Sequence, residues 1–312
     1  MGSLLFRRLL LTLPTLLGAS LIVFTMVKLA PGDPISVLMP ADAGQAEIEA
    51  VKQSLGLDRP LPVQYLKWLE RILHGDLGRS IATRRPVVAD LGDALRNSLA
   101  LALASSALAL IPGLLLGMLA AFKRGGPIDK VVSAVAITGV SIPHYWAGIL
   151  LVIVFSVQLG WLPAMGGPAD PGVIPYLRHM VLPAVALALI PLGVITRVVR
   201  SAVLDILAQE FVLTLRVKGL HAGAIVRHVL KNASPQILTV MGLQFGFQLG
   251  GSVLVETVFS WPGTGYLLNI AIFQRDMPLL QGIILVLSTM FVLLNLAVDV
   301  LQGMIDPRIV RS

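Results

Sequence analysis

The residues of this 312-residue chain best placed to do chemistry are a polar series inside an apolar stretch: Gln244, Gln248, Ser252 and Glu256. They recur every four residues. At about 100° per residue each step drifts by about 40°, so the series sweeps about 120° of a helix surface. A second series, Ser288, Asn295, Asp299 and Gln302, lies in the last apolar stretch. Amides, hydroxyls and carboxylates in this pattern can line a path for a polar solute, or they can bond to a neighbouring helix. A carboxylate at the centre of a membrane costs at least about 2.5–3.5 kcal/mol, so it must face water or a partner. Glu256 is expected near the outer end of its segment, where it could attract a substrate amine, and Asp299 near the inner end. Gly242, Gly246 and Gly250 share the spacing of four and predict a ridge that lets another helix approach closely.

A second group of residues points to docking rather than transport. In Glu210 to Pro235, EFVLTLRVKGLHAGAIVRHVLKNASP, helical spacing predicts two short amphipathic helices separated by Gly219. Leu204, Leu207, Phe211 and Leu215 share one face of the first, with Asp205, Gln209, Val212 and Arg216 opposite. Lys218 followed by Gly219 is the chemistry of a helix end. The second helix carries Ala222, Ile225, Val226, Val229, Leu230 and Ala233 on one face and Arg227, His228, Lys231 and Ser234 on the other. The basic face suits lipid head groups and the apolar face suits a bundle.

Catalysis has no comparable support. The chain has no cysteine, which removes disulfides, thiolate nucleophiles and thiolate metal sites. Its five histidines show no metal spacing, and no cofactor is implied. No GxxxxGK[ST] phosphate loop is present, so the chain is not expected to bind or hydrolyse ATP. GxSxG and HExxH are absent too.

The elements that must position these residues are membrane helices. The sequence is 56% hydrophobic, only 13% charged, and has a mean hydropathy of +0.85; a soluble domain carries about 25% charged residues. A helix needs about 20 apolar residues to cross a core of about 30 Å. Six segments qualify, at 9–29, 99–122, 131–158, 180–197, 236–258 and 280–304. Prolines 14, 112, 143, 183 and 191 fall within them. The first resembles a signal peptide but is too long and lacks a cleavage site, so it reads as a retained span. The expected fold is an all-α integral membrane protein with six spans and cytoplasmic termini.

Orientation follows from Lys and Arg. Arg7, Arg8, Lys123, Arg124, Lys130, Arg197, Arg200, Arg216, Lys218, Arg227, Lys231, Arg308 and Arg311 fall on one side, while the two short loops opposite hold only Arg178 and Arg275. The positive side is the cytoplasm. This accounts for the net charge of +7 without a nucleic-acid partner. The chain then divides into a first span (1–30), an extracytoplasmic helical region (31–98), a five-helix core (99–304) with a cytoplasmic loop (198–235), and a tail (305–312). In the outer region Pro-Gly-Asp-Pro at 31–34 ends the first span. Ala46–Leu55 and Pro62–His74 read as short helices, the latter with Tyr65, Leu66, Trp68 and Leu69 as its apolar face. This region could meet a delivery protein or simply form a packed lid. The absence of an inverted repeat weighs against the main competitor, a stand-alone channel or secondary carrier.

RVKGLHAGAIVRHVLKNASPQIL resembles the cytoplasmic "EAA" loop of ATP-binding-cassette importer permeases, in their dipeptide/oligopeptide/nickel branch. Thr214, Arg216, Lys218, Gly219, His228, Leu230, Asn232 and Ala233 match the branch pattern. Leu215 and Val217 stand where it has alanines, Lys231 replaces an arginine, and the general motif's glutamate would fall at Leu213. LAPGDPI (29–35), LGLDRPLPVQY (55–65), GDLGRS (75–80) and MGLQFGFQLGGSVLVETVFSWPGTGYLL (241–268) extend the likeness over nearly the whole chain. The resemblance implies an importer with two permeases, here a heterodimer, together with two ATPases and an extracytoplasmic binding protein. It implies that Thr214, Leu215, Arg216, Lys218 and Gly219 form the coupling surface that docks on an ATPase. The branch carries peptides, glutathione, nickel, haem and opines, and resemblance to the B-type permeases favours peptides.

Overall fold

A computed structural model describes residues 2–29, 58–167 and 172–305, together with Gly44 and Glu49. The turn at 31–34, most of Ala46–Leu55 and the tail from 306 lie outside the described residues.

The described chain is helical. In order it forms α1 (Gly2–Leu29), α2 (Leu61–Leu73), α3 (Val87–Phe122), α4 (Pro127–Ser141), α5 (His144–Leu151, continued as a π-helix over Val152–Gln158), α6 (Val173–Leu207), α7 (Glu210–Val217), α8 (Ala222–Val258), α9 (Thr264–Phe273) and α10 (Met277–Ile305). Among the described residues α3, α6 and α10 are each long and apolar enough to cross a membrane, and up to five spans result if each bent pair counts as one.

α6 is the central pillar. Within its most apolar window 56% is buried inside the protein, against 28% for α3 and 22% for α10, which leaves those two more surface for lipid or a partner. α3 packs along α6 through small residues: a Cβ at Gly117 would stand 2.7 Å from the Thr196 carbonyl and from Val199. α4 and α8 pack on other faces of α6, α10 packs on α8, and α1 covers α10. Ala109, Ile195, Val199, Val203, Val229 and Ala233 form a core at the end of α6 that leads into α7. Leu101, Leu182, Val255, Phe259 and Trp261 form another at its opposite end.

The span expected over 131–158 is not continuous. α4 and α5 meet at 99° across Ile142 and Pro143. Pro143 donates no amide hydrogen and forces Ile142 into an extended conformation (φ −89°, ψ 122°), which a helix cannot absorb. Prolines 14, 112, 183 and 191 remain inside helices, as membrane helices allow where neighbouring groups satisfy the freed carbonyls.

The segment from Glu210 to Pro235 also departs from two short helices. The first exists as α7. The second is the start of α8, which runs 37 residues from Ala222 to Val258 and is bent by 46° between Gly250 and Ser252.

Candidate functional site

α7 begins with Glu210 and carries Arg216 in its last turn, each charge matching the local end of the helix dipole. Its stop is a complete Schellman turn: Gly219 N–H donates to the Arg216 carbonyl at 2.9 Å and Leu220 N–H to the Leu215 carbonyl at 3.2 Å. Gly219 takes φ +76°, in the left-handed region that disfavours a Cβ, and nothing else crowds it. The inner face of α7 is anchored by Val212, 1% exposed, with Phe211 packed on the same core as Val199, Val203 and Val229. Continuous helical spacing predicts Val212 on the polar side. The chain breaks at Ala208 and Gln209, so the register of Leu204 and Leu207 does not carry through to α7. Thr214, Arg216, Lys218 and Gly219 face outward, and Leu215 is half-buried. Leu213 and Val217, one turn apart, are 64% and 80% exposed and add an apolar strip to this basic surface.

α8 leads from that surface to a cavity. Val229, Ala233 and Ile237 share the core that holds Val212; one and two turns further on, Met241 and Gln244 line a space of about 260 Å³ between α3, α6, α8 and α10. Its wall is largely apolar, with Leu110, Ile195 and Leu294. Ser106, Gln244 and Gln248 supply the polarity. The Gln248 carbonyl accepts from Ser105 Oγ at 2.5 Å and Ser106 Oγ at 3.0 Å, which orients the amide.

The polar series does not stay on this cavity. Ser252 is buried and its hydroxyl donates to its own helix at Leu249. Glu256 is fully buried where α3, α8 and α9 meet, at the end of the bundle away from α7. Its carboxylate accepts from Ser98 Oγ at 2.7 Å, Gly265 N–H at 2.7 Å and Tyr266 N–H at 3.2 Å, while Ser98 Oγ accepts Thr264 N–H at 2.7 Å. It thereby caps the N-terminus of α9 with a negative charge. In α10 Asn295 of the second polar series donates to the Phe291 carbonyl of its own helix at 3.0 Å, while the side chains of Asp299 and Gln302 lie outside those the structure describes. Gly242 and Gly246 receive Val298 and Phe291 of α10 as expected of a ridge, but nothing approaches Gly250.

Three groups escaped the sequence reading. Asp276 is buried, accepting Ser80 Oγ at 2.5 Å, Ala82 N–H at 3.2 Å and Leu279 N–H at 3.1 Å, so it caps α10 and holds the 80–82 turn. Its signal was an aspartate before Met277 and Pro278, the pattern of an N-cap followed by a first-turn proline. Asn97 donates to the Pro262 carbonyl and accepts from Tyr176, and its own carbonyl receives the Trp261 indole. At the α7 end of the bundle, Arg200 of α6 grips Asp129 of α4 with two bonds, at 2.6 and 2.8 Å, and Gly125 N–H adds a third at 2.9 Å. The Arg200 guanidinium, and then the Gly125 amide, hold the Asp129 carboxyl far below the usual carboxylate range.

The bundle thus carries a Schellman-capped surface helix at one end and two acid-capped turns at the other. Residues 113–311 match the family described as binding-protein-dependent transport system inner membrane component, and residues 1–102 match that of its N-terminal region. The chain belongs to this family. It is 40% identical over 332 residues to the di/tripeptide transport system permease DppB of Pseudomonas aeruginosa, covering 99% of each chain. It is 41% identical over 304 residues to the glutathione transport system permease GsiC of Pectobacterium atrosepticum, covering 97% of each. The fold is similar to a chain in an inward-facing structure of the MetNI methionine ABC transporter, with a TM-score of 0.59 and 19% identity, covering 69% of this chain and 96% of that one.

Proposed function

We propose that the chain forms half of the translocation path of an ATP-driven importer for peptides, di- or tripeptides or glutathione-like, in an inner membrane. The continuity of one helix carries this reading. α8 runs from the core that seats the exposed α7 to the wall that bears Gln244 and Gln248. A load on Thr214, Leu215, Arg216, Lys218 and Gly219 is therefore transmitted to that wall through packed side chains. ATP hydrolysis belongs to separate subunits that receive α7, a second and different permease completes the path, and an extracytoplasmic protein delivers the solute. Six spans with both termini in the cytoplasm fit the charge asymmetry. The two acid-capped turns then lie outside. The peptide assignment rests on the relatives, and the cavity is compatible with it: neutral amides and hydroxyls on an apolar wall can serve a peptide backbone without selecting its charge.

Reconstitution in vesicles tests the proposal. Uptake of a labelled dipeptide is expected only when ATPase and partner permease are present; uptake by this chain alone would mean a carrier. Gly219→Val places a branched side chain at φ +76°, which costs about 1–2 kcal/mol and distorts the end of α7. ATP hydrolysis should persist while uptake falls at least tenfold, with insertion unchanged. Normal uptake would remove α7 from the coupling role.

A further inference from the structure

We propose that α2 is an interfacial anchor whose outward leucines lie in the outer leaflet of the membrane. α2 divides its surface in three. Tyr65 and Trp68 face α1: Tyr65 OH and Ser20 Oγ are 2.8 Å apart, and the Phe24 ring lies 5.5 Å from Tyr65 and 5.6 Å from Trp68. Gln64, Lys67, Glu70 and Arg71 make the polar side. Between these, Leu66, Leu69 and Leu73 stand at i, i+3 and i+7. Helical spacing places Leu66 with the packed face, but it is 62% exposed, and Leu73 is 78% exposed.

Depth identifies what covers them. Arg8 and Lys28 bracket the apolar part of α1 and are 20 residues apart, about 30 Å at 1.5 Å per residue, the thickness of the hydrocarbon core. Phe24 and Ser20 are one and two turns inward from Lys28, about 6 and 12 Å below it. The α2 contact is therefore made below the level of the head groups, where a water-soluble delivery protein does not reach. The α1 surface beside it is already apolar and open, with Leu17 51% and Leu21 50% exposed. Amphipathic helices insert their apolar face about 5–10 Å into the interface with aromatic residues at the boundary, and α2 matches that arrangement. The ordering of charge also fits, with Lys67 and Arg71 on the side turned away from the leucines and available to phosphates.

This inference rests on the membrane-spanning reading of α1 and not on the transported solute. The absence of native cysteine allows single nitroxides to be placed by Leu66→Cys, Leu73→Cys, Lys67→Cys and Glu70→Cys. The full chain is reconstituted in nanodiscs of phosphatidylethanolamine and phosphatidylglycerol. Collision rates are then measured with oxygen, which partitions into lipid, and with a water-soluble nickel chelate. Sites 66 and 73 should favour oxygen and sites 67 and 70 the chelate. If 66 and 73 favour the chelate, α2 stands in water and the proposal fails. If they are shielded from both reagents, protein covers them and the proposal also fails. A nitroxide at Leu13→Cys, 59% exposed on α1, separates the two readings: oxygen access there with chelate access at 66 and 73 overturns only the anchor, whereas chelate access at 13 overturns the span.

Discussion

At the scale of single residues, the three buried acids among the described residues, Asp129, Glu256 and Asp276, have structural tasks. Glu256 satisfies two amide donors of α9 and a serine of α3. Glu256→Ala would strand them, at about 1–3 kcal/mol for each buried group left unsatisfied. Thermal unfolding of the detergent-solubilised chain should shift clearly downward, while Glu256→Gln, which keeps an acceptor, should recover most of the loss. An alanine variant as stable as the parent would refute the capping role. Gln244 and Gln248 differ because they border open space. Gln244→Leu, which removes an amide without touching the serine pair that holds Gln248, should lower dipeptide uptake severalfold and leave ATPase activity in place. Equal uptake by parent and variant would take Gln244 off the path.

At the scale of elements, α3, α4 and α6 pack closely on one another. Close backbone packing joins α3 to α6, and the Asp129–Arg200 pair ties the α3–α4 turn to α6 two turns before α6 ends. α4 reaches α7 only through α5 and α6, and this pair adds an ionic tie to the backbone packing of α4 on α6 at Gly139 and Gly193. Asp129→Ala should therefore raise the ATP consumed per dipeptide imported, with the complex still assembled. The Asp129→Arg/Arg200→Asp exchange should restore part of the coupling; a ratio unchanged in Asp129→Ala would show that the contacts of α6 with its neighbours suffice. Helical elements were legible in the sequence because their signals are local. Apolar length marks α3, α6 and α10, and the Lys218–Gly219 ending marks α7. The break at Ala208 and Gln209 was not legible, since neither residue is a helix breaker, and Val212 turned inward as a result. The 99° corner had a local sign in Pro143, but Pro112, Pro183 and Pro191 carry the same sign and do not break their helices. Tertiary support decides between the outcomes.

At the scale of the whole molecule, the charge asymmetry yields a testable arrangement. With cysteine absent, Lys123→Cys and Lys231→Cys should react with a membrane-impermeant maleimide only after the inner face is opened, whereas Arg275→Cys should react from outside at once. Labelling of position 231 in sealed, right-side-out vesicles would invert the topology and with it the placement of α7. The polar groups that organise the end of the bundle away from α7 were hidden from sequence reasoning for a reason of scale. The partners of Glu256 and Asp276 include serines 158 and 196 positions away, and no periodicity connects them.

Those long separations bear on how the protein is made. Ser80 and Ser98 emerge early in synthesis, long before the carboxylates that accept their hydrogen bonds have been translated. The 80–82 turn and the N-terminal part of α3 gain these partners only when α8 and the N-terminus of α10 are present. A chain ending after α6 lacks both acceptors for these donors. The last helices thus complete the first ones, because both carboxylate nodes close only when residues 256 and 276 are in place.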